Sequence, residues 1–350
     1  MGKLQVVVDG QMGSCGKGHV AAQLAAPERN PHGISAVRVA GPNAGHSAAD
    51  PGGRKWPLRQ IPVAAVANPD ARLYIAAGSE VDIAVLLAEV EALEAGGHKI
   101  AERLMIDSMA TIIEPYHHEA EAAAGMRERI GSTTKGIGAA RADRIMRTAR
   151  VVRDTDLGDL CEIGDVADRL GGDLVRGATC QIEGTQGWAL GLHHPYYPQT
   201  TSSDCRAIDF AAMAGISPWA PEVDDVEVWV VYRPYPIRVA GASGPLHGET
   251  TWQALGLEPE QTTVTRLTRR VGTWDGDLAR RALVANGGPS PSVHVALTMA
   301  DQLDSLVVGV TEADKLLASE VVADFLARVG HDVGSRVELA GTSDRTVVWL

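Results

Sequence analysis

The residues best placed to do chemistry follow the first strand-like run. They read Gly10-Gln-Met-Gly13-Ser14-Cys15-Gly16-Lys17-Gly18-His19. A strand, a glycine turn, a lysine and then a helix over residues 20–25 make a cradle for phosphate. Backbone N–H groups and a helix N-terminus face the anion, and glycine lets the backbone come close. It is not a Walker A loop: Gly10 and Gly16 enclose five residues, and Lys17 is followed by Gly18 rather than a magnesium-binding Ser or Thr. A second glycine-rich segment, Arg38-Val-Ala-Gly41-Pro42-Asn43-Ala44-Gly45-His46-Ser47, ends next to a histidine, the side chain suited to proton transfer near neutral pH. Further on, Thr263, Thr265, Arg266, Arg269 and Arg270 crowd hydroxyls and guanidiniums into one short loop. In an acidic chain such a cluster points to an anionic ligand.

These loops need a scaffold, and the rest of the chain reads as one. Its 350 residues are 45% hydrophobic, enough for a large core. A net charge of −12 disfavours duplex nucleic acid as a partner. No apolar run is long enough for a membrane span. Cys15, Cys161, Cys180 and Cys205 lie far apart with no CxxC, so neither a zinc ribbon nor a disulfide framework is indicated, and a reducing cytoplasm is the simplest setting. Short apolar runs at 4–9, 36–40, 73–77, 104–106, 180–183, 226–232, 293–297 and 306–310 read as buried strands. Helical patterns at 80–94, 114–129, 165–176, 277–286 and 319–329 separate them. The alternation predicts an α/β fold with a mostly parallel central sheet flanked by helices, as one domain over residues 1–350.

Taken together the loops resemble the adenylosuccinate synthetase family. The first resembles its GxxGDEGKGK motif and the second its GxNAGH motif. Ile130-Gly-Ser-Thr133-Thr-Lys-Gly136-Ile-Gly138 is similar to IGTTxxGIG, and Glu183-Gly-Thr-Gln186-Gly187 to EGAQG. Residues 197–203 are similar to YPxVTSS, residues 264–275 to TTGRxRRxGWxD, and Leu297-Thr-Met299-Ala-Asp301 to LTKLD. The resemblance covers essentially the whole chain and implies that family's P-loop-like fold. Three departures stand out. Ser14 replaces the catalytic aspartate, Cys15 the adjoining glutamate, and Met299 the lysine of LTKLD. A serine at that position resembles the phage branch, the 2-aminoadenylosuccinate synthetases that use dGMP in place of IMP.

The resemblance implies a ligase joining L-aspartate to C6 of a purine monophosphate after phosphoryl transfer to O6. The catalytic set is then Ser14, Lys17 and His46, with His46 as general acid near O6. Gly13, Cys15, Gly16, Lys17, Gly18, Gly45, His46, Ser47 and Asp301 would hold the nucleoside triphosphate. ATP or dATP is expected, because Met299 cannot donate to guanine. Ser14, Asn43, Thr133, Gln186 and Thr201 would hold dGMP, with Arg147 reaching its phosphate across a homodimer. Thr263, Val264, Thr265, Arg266 and Arg269 would hold aspartate, and which arginine clamps which carboxylate is left open. Mg²⁺ is the implied cofactor, with Ser14 and the Gly45 carbonyl among its ligands. Two other readings compete: a conventional enzyme acting on IMP with GTP, which Ser14 and Met299 oppose, and a nucleotide-binding regulator without chemistry, which His46 and the arginine loop oppose. The pairs His117-His118 and His193-His194 lack metal-binding spacing and read as ordinary.

Overall fold

The computed structural model of the chain describes residues 2–39, 41–261 and 267–350. A ten-stranded sheet runs through it. From edge to edge its strands are Val347–Trp349, Val337–Gly341, Val293–Leu297, Val223–Tyr232, Gly2–Asp9, Thr179–Glu183, Ile34–Arg38, Arg72–Ile75, Leu104–Asp107 and Glu162–Gly164. Every neighbouring pair is parallel except the first, which is antiparallel. Helices cover both faces, which is why Gly2–Asp9 is buried along nearly its whole length and reads as a continuous apolar run. The strand still obeys the period of two. Leu4, Val6 and Val8 pack with Leu170, Phe210, Leu283 and Val329 on one face. Val7 packs with Val20, Leu86 and Leu93 on the other.

Gly2–Asp9 lies between Thr179–Glu183 and Val223–Tyr232, strands that come far later in sequence. Strand order therefore reverses here, and loops leaving the carboxyl ends part to form a crevice. The glycine loop leaves the first strand at this point. Arg38 and Glu183 end the next two strands, side by side in register.

Several elements depart from expectation. Residues 306–310 form no strand. Asp304 caps a 3-10 turn, Ser305–Val307, and only Val307 points inward, with Leu306 86% exposed. The strands at that edge are Val337–Gly341 and Val347–Trp349. The second strand is Ile34–Arg38, two residues earlier than its apolar pattern implied. The helix expected at 80–94 begins only after Asp82, whose carboxylate accepts from Val85 N–H at 3.1 Å; Glu80–Val81 pairs instead with Thr111–Ile112. The helical pattern at 114–129 breaks at left-handed Gly125 into Pro115–Ala123 and Met126–Ile130. Helices Ile137–Met146 and Ala207–Ala214 are additional.

Candidate active site

A cavity of about 830 Å³ opens over the crevice. That volume is at the upper end of the usual range for small-molecule sites. Helix Lys17–Leu24 starts beneath it, with left-handed Gly16 as its N-cap. The loop before it is built around a buried carboxylate. Asp9 is 1% exposed. Its Oδ1 accepts from Gln11 N–H at 2.8 Å and Gly13 N–H at 3.2 Å; its Oδ2 accepts from Cys15 N–H at 3.0 Å and from the Lys17 ammonium at 3.2 Å. Lys17 also donates to the carbonyl of Gln186, a residue in left-handed backbone. The anion that shapes this loop is thus internal, and the Gly13 and Cys15 amides, expected to face phosphate, are turned toward Asp9. Lys17 still borders the cavity. Ser14 forms the exposed corner of the loop, at φ 58°, with its side chain free of the loop's internal bonding.

His46 begins the short strand His46–Ala49 and is packed tightly on the helix: a Cβ on Gly18 would lie 2.7 Å from His46 Cβ. Its Nδ1 meets the Arg38 guanidinium and lies 3.0 Å from Glu183 Oε2; Arg38 and Glu183 are themselves 3.3 Å apart. All three side chains are buried. Burial, then the charges of Arg38 and Lys17, hold the His46 pKa well below the ordinary histidine value. Burial pushes Glu183 up to about 7 in spite of Arg38. Arginine is always a donor, so we assign the Nδ1 lone pair to it and the proton to Nε2. Nε2 is buried and, among the described residues, has no partner. His46 is therefore a neutral imidazole with an uncommitted N–H.

The other walls come from distant loops. Asn43 Oδ1 accepts from Gln186 Nε2 at 3.2 Å. Thr133 and Thr201 line the side opposite the lysine. The buried carboxylate of Glu121 holds the loop before helix Ile137–Met146 through Gly136 N–H at 2.9 Å and Gly138 N–H at 2.7 Å. Arg141 ties that helix to Glu80 at 2.6 Å and to the Ser202 carbonyl at 3.1 Å. Met299, at φ 58°, and Asp301 also line the cavity, and burial raises the Asp301 pKa. Arg269 lines it too.

Of the expected site residues, Gly13, Ser14, Gly16, Lys17, Gly18, Asn43, Gly45, His46, Ser47, Thr133, Gln186, Thr201, Arg269 and Asp301 border this one cavity. Cys15 does not, which corrects its placement beside the triphosphate. Its side chain is 0% exposed, its Sγ–H donates to Gln11 Oε1 at 3.0 Å, and burial pushes its thiol pKa well up. Arg147 ends helix Ile137–Met146 on the surface, away from its own chain's cavity, and donates to the Ile145 carbonyl at 2.8 Å. Thr263, Val264, Thr265 and Arg266 lie outside the described residues. Asp9, Arg38 and Glu183 escaped sequence reasoning as site residues. Their signal was a charge at the end of an otherwise apolar strand. In the two histidine pairs, His117 lies 3.2 Å from Asp143, and His194 packs between Trp188 and Tyr196. Among the described residues no group of three or more His, Cys, Asp or Glu side chains is arranged to hold a metal, and no helix is long and apolar enough to cross a membrane.

Comparison with known proteins gives consistent matches. The family model for adenylosuccinate synthetase matches residues 6–169 and 159–313. The adenylosuccinate synthetase of Methanococcus maripaludis strain C5 is 37% identical over 341 residues, covering 96% of this chain and 95% of its own. That of Thermococcus onnurineus is 39% identical over 335 residues, covering 94% of each. Among solved structures, the cyanophage S-2L succinoaminodeoxyadenylate synthetase (PurZ), bound to dGMP and to dATP as an energy donor, superposes with a TM-score of 0.82 at 29% identity. That match covers 100% of this chain and 95% of that one. Adenylosuccinate synthetase from Plasmodium falciparum gives 0.83 at 18% identity, covers 99% of each chain, and shares the fold.

Proposed function

The chain belongs to the adenylosuccinate synthetase family of C–N ligases, and we propose that within it this protein joins L-aspartate to C6 of dGMP. ATP or dATP is hydrolysed, and the product is 2-amino-2′-deoxyadenylosuccinate, on the way to 2-aminoadenine DNA. Ser14 carries the substrate assignment. It presents a hydroxyl at the exposed corner of the loop, and the only loop carboxylate, Asp9, is buried and fully bonded. A hydroxyl leaves room beside N1 for the 2-amino group of guanine and can hydrogen-bond to it. The structural likeness to an enzyme bound to dGMP and dATP supports the same reading.

The chemistry has two steps. The O6–phosphorus bond forms as the bridging oxygen bond to the γ-phosphorus breaks, and the N1 proton of the purine is lost to water beside the exposed Ser14 corner. The aspartate amine then attacks C6, the C6–O6 bond breaks, phosphate leaves and the amine loses a proton. Lys17 offsets charge on the moving phosphoryl group. His46 is neutral and directs Nε2–H at O6, polarising it and later donating to the departing phosphate. Arg38 and Glu183 position that imidazole. Magnesium, when bound, would supply charge neutralisation at the phosphates. The Ser14 hydroxyl and the Gly45 carbonyl would be its protein donors, and both are neutral oxygens, which suits an ion carried mostly by phosphate and water. Asn43, Gln186, Thr133 and Thr201 hold the monophosphate. Arg147, on the surface, serves the partner's site in a homodimer. Thr263, Val264, Thr265, Arg266 and Arg269 take the carboxylates of aspartate. Asp301 faces the donor base, and Met299 beside it favours adenine.

The conventional reaction on IMP with GTP is the second reading, favoured by 37–39% identity to archaeal adenylosuccinate synthetases. A substrate matrix decides between them: dGMP, GMP and IMP against ATP, dATP and GTP, each with aspartate, read by phosphate release and product mass. The expected result is fastest turnover of dGMP. Faster turnover of IMP overturns the dGMP assignment.

A further inference from the structure

Arg233, at the carboxyl end of strand Val223–Tyr232, is 0% exposed, and none of the roles above uses it. Its main chain is locked to the glycine loop: Arg233 N–H donates to Gln11 Oε1 at 3.1 Å, and Gln11 Nε2 donates to the Arg233 carbonyl at 3.1 Å. Its guanidinium reaches the peptide that defines Ser14. Nη1 donates to the Ser14 carbonyl at 3.1 Å, and the N–H of the same peptide, on Cys15, donates to Asp9 at 3.0 Å. One peptide plane is thus clamped between a buried cation and a buried anion, and this holds Ser14 in its left-handed conformation.

The other side of the guanidinium makes a two-pronged pair with Glu260, with Nη1 3.2 Å from Oε2 and Nη2 on Oε1. Gln302, next to Asp301, donates to Glu260 Oε1 at 3.1 Å. Glu260 is paired with Arg269 through both main chain and side chain. Its carbonyl accepts from Arg269 N–H at 2.8 Å, its carboxylate lies 3.6 Å from the Arg269 guanidinium, and Gln261 bridges Thr268 just beyond. A single buried side chain therefore connects the corner of the phosphate loop to the base of the loop that carries Arg269.

We propose that Arg233 and Glu260 are positioning residues for the ligase reaction, which seat the Ser14 peptide and Arg269 as one unit and so set the aspartate-binding arginine against the nucleotide site. The proposal rests on the ligase reading, with aspartate bound by Arg269, but not on the identity of the monophosphate. Kinetics are accordingly run with whichever monophosphate and donor the unaltered enzyme turns over fastest.

Glu260→Gln cuts the Arg269 side only. It should raise KM for aspartate about tenfold or more, within the usual range of coupling between sites, and leave KM for the monophosphate within about threefold. Arg233→Met cuts both sides and should also lower kcat. Arg233→Lys, which can still reach the Ser14 carbonyl but cannot make the two-pronged pair, should recover kcat while KM for aspartate stays high. Thermal unfolding of each variant serves as the folding control. If the Arg233 variants do not fold, Glu260→Gln decides alone, because Glu260 lies a quarter exposed at the rim. An aspartate KM within about twofold of the unaltered enzyme, or an equal rise in all three KM values, overturns the proposal.

Discussion

The proposed role of His46 as a neutral donor rests on surroundings that oppose a second proton. Burial and the neighbouring Arg38 and Lys17 charges depress its pKa, and its Nε2 has no partner among the described residues. The imidazole nitrogen shifts of His46 should therefore stay those of a neutral ring as the pH falls from about 8 through the ordinary histidine range in an NMR titration; conversion to imidazolium shifts with a midpoint near 6.5 would mean the charges do not reach it. The unfolded chain takes up this proton near pH 6.5 and the native protein does not. The His46 contribution to stability is thus whole above pH 6.5 and falls as pH drops below it. Glu183 has the opposite sign: its pKa, raised to about 7, keeps its contribution whole below the ordinary carboxyl value of 4.5 and loses it as pH rises toward 7. Substituting His46→Asn should leave nucleotide binding nearly intact and cut turnover by about 10²–10⁴-fold, the usual worth of a general acid. A near-normal rate would make His46 structural.

At the scale of elements, the glycine loop is a ring of backbone around Asp9, closed from outside by the Glu183–Gly187 segment. A Cβ on Gly187 would lie 2.4 Å from Gly13 N and 2.7 Å from Asp9 Oδ1, both fixed atoms. Gly187→Ala should cost about 1–3 kcal/mol of stability by urea unfolding, the usual price of overpacking, and weaken triphosphate binding as the loop is pushed open. An unchanged unfolding midpoint would show that the ring can give way. On the proposed reading the loop after strand Val293–Leu297 selects the donor. Met299 and Asp301 both face the cavity there, and Asp301 is an acceptor that suits the amino group of adenine. ATP or dATP should give a higher kcat/KM than GTP, and Met299→Lys should move the ratio toward GTP by about tenfold per 1.4 kcal/mol regained. If the unaltered enzyme already prefers GTP, other groups read the base.

For the whole molecule, the position of Arg147 matters most. It caps its helix in left-handed backbone, beside exposed Ile145 and Met146, outside the cavity of its own chain. If it completes the partner's site, two inactive proteins, Arg147→Leu and His46→Asn, should regain activity when mixed, because some mixed dimers hold one intact site. No recovery after verified subunit exchange would confine Arg147 to its own chain.

The sequence by itself determined the sheet and the glycine loop that follows its first strand. Near-continuous apolar runs such as residues 4–9 have to be covered on both faces, and glycines at 10, 13, 16 and 18 beside Lys17 carry their mechanism in local backbone geometry. It also determined which loops meet in one cavity, through ordered motifs that resemble a known family. It misplaced elements wherever long-range packing outweighed local pattern. The apolar run at 306–310 stays outside the sheet because only Val307 finds a buried position. Only the tertiary structure showed that Cys15 turns into the core, that Asp9 rather than a ligand holds the loop's amides, and that Arg38 and Glu183 bracket His46. Those pairings bring together residues up to 145 apart in sequence. Strand register and burial decide them, and neither is a property of a local stretch of chain.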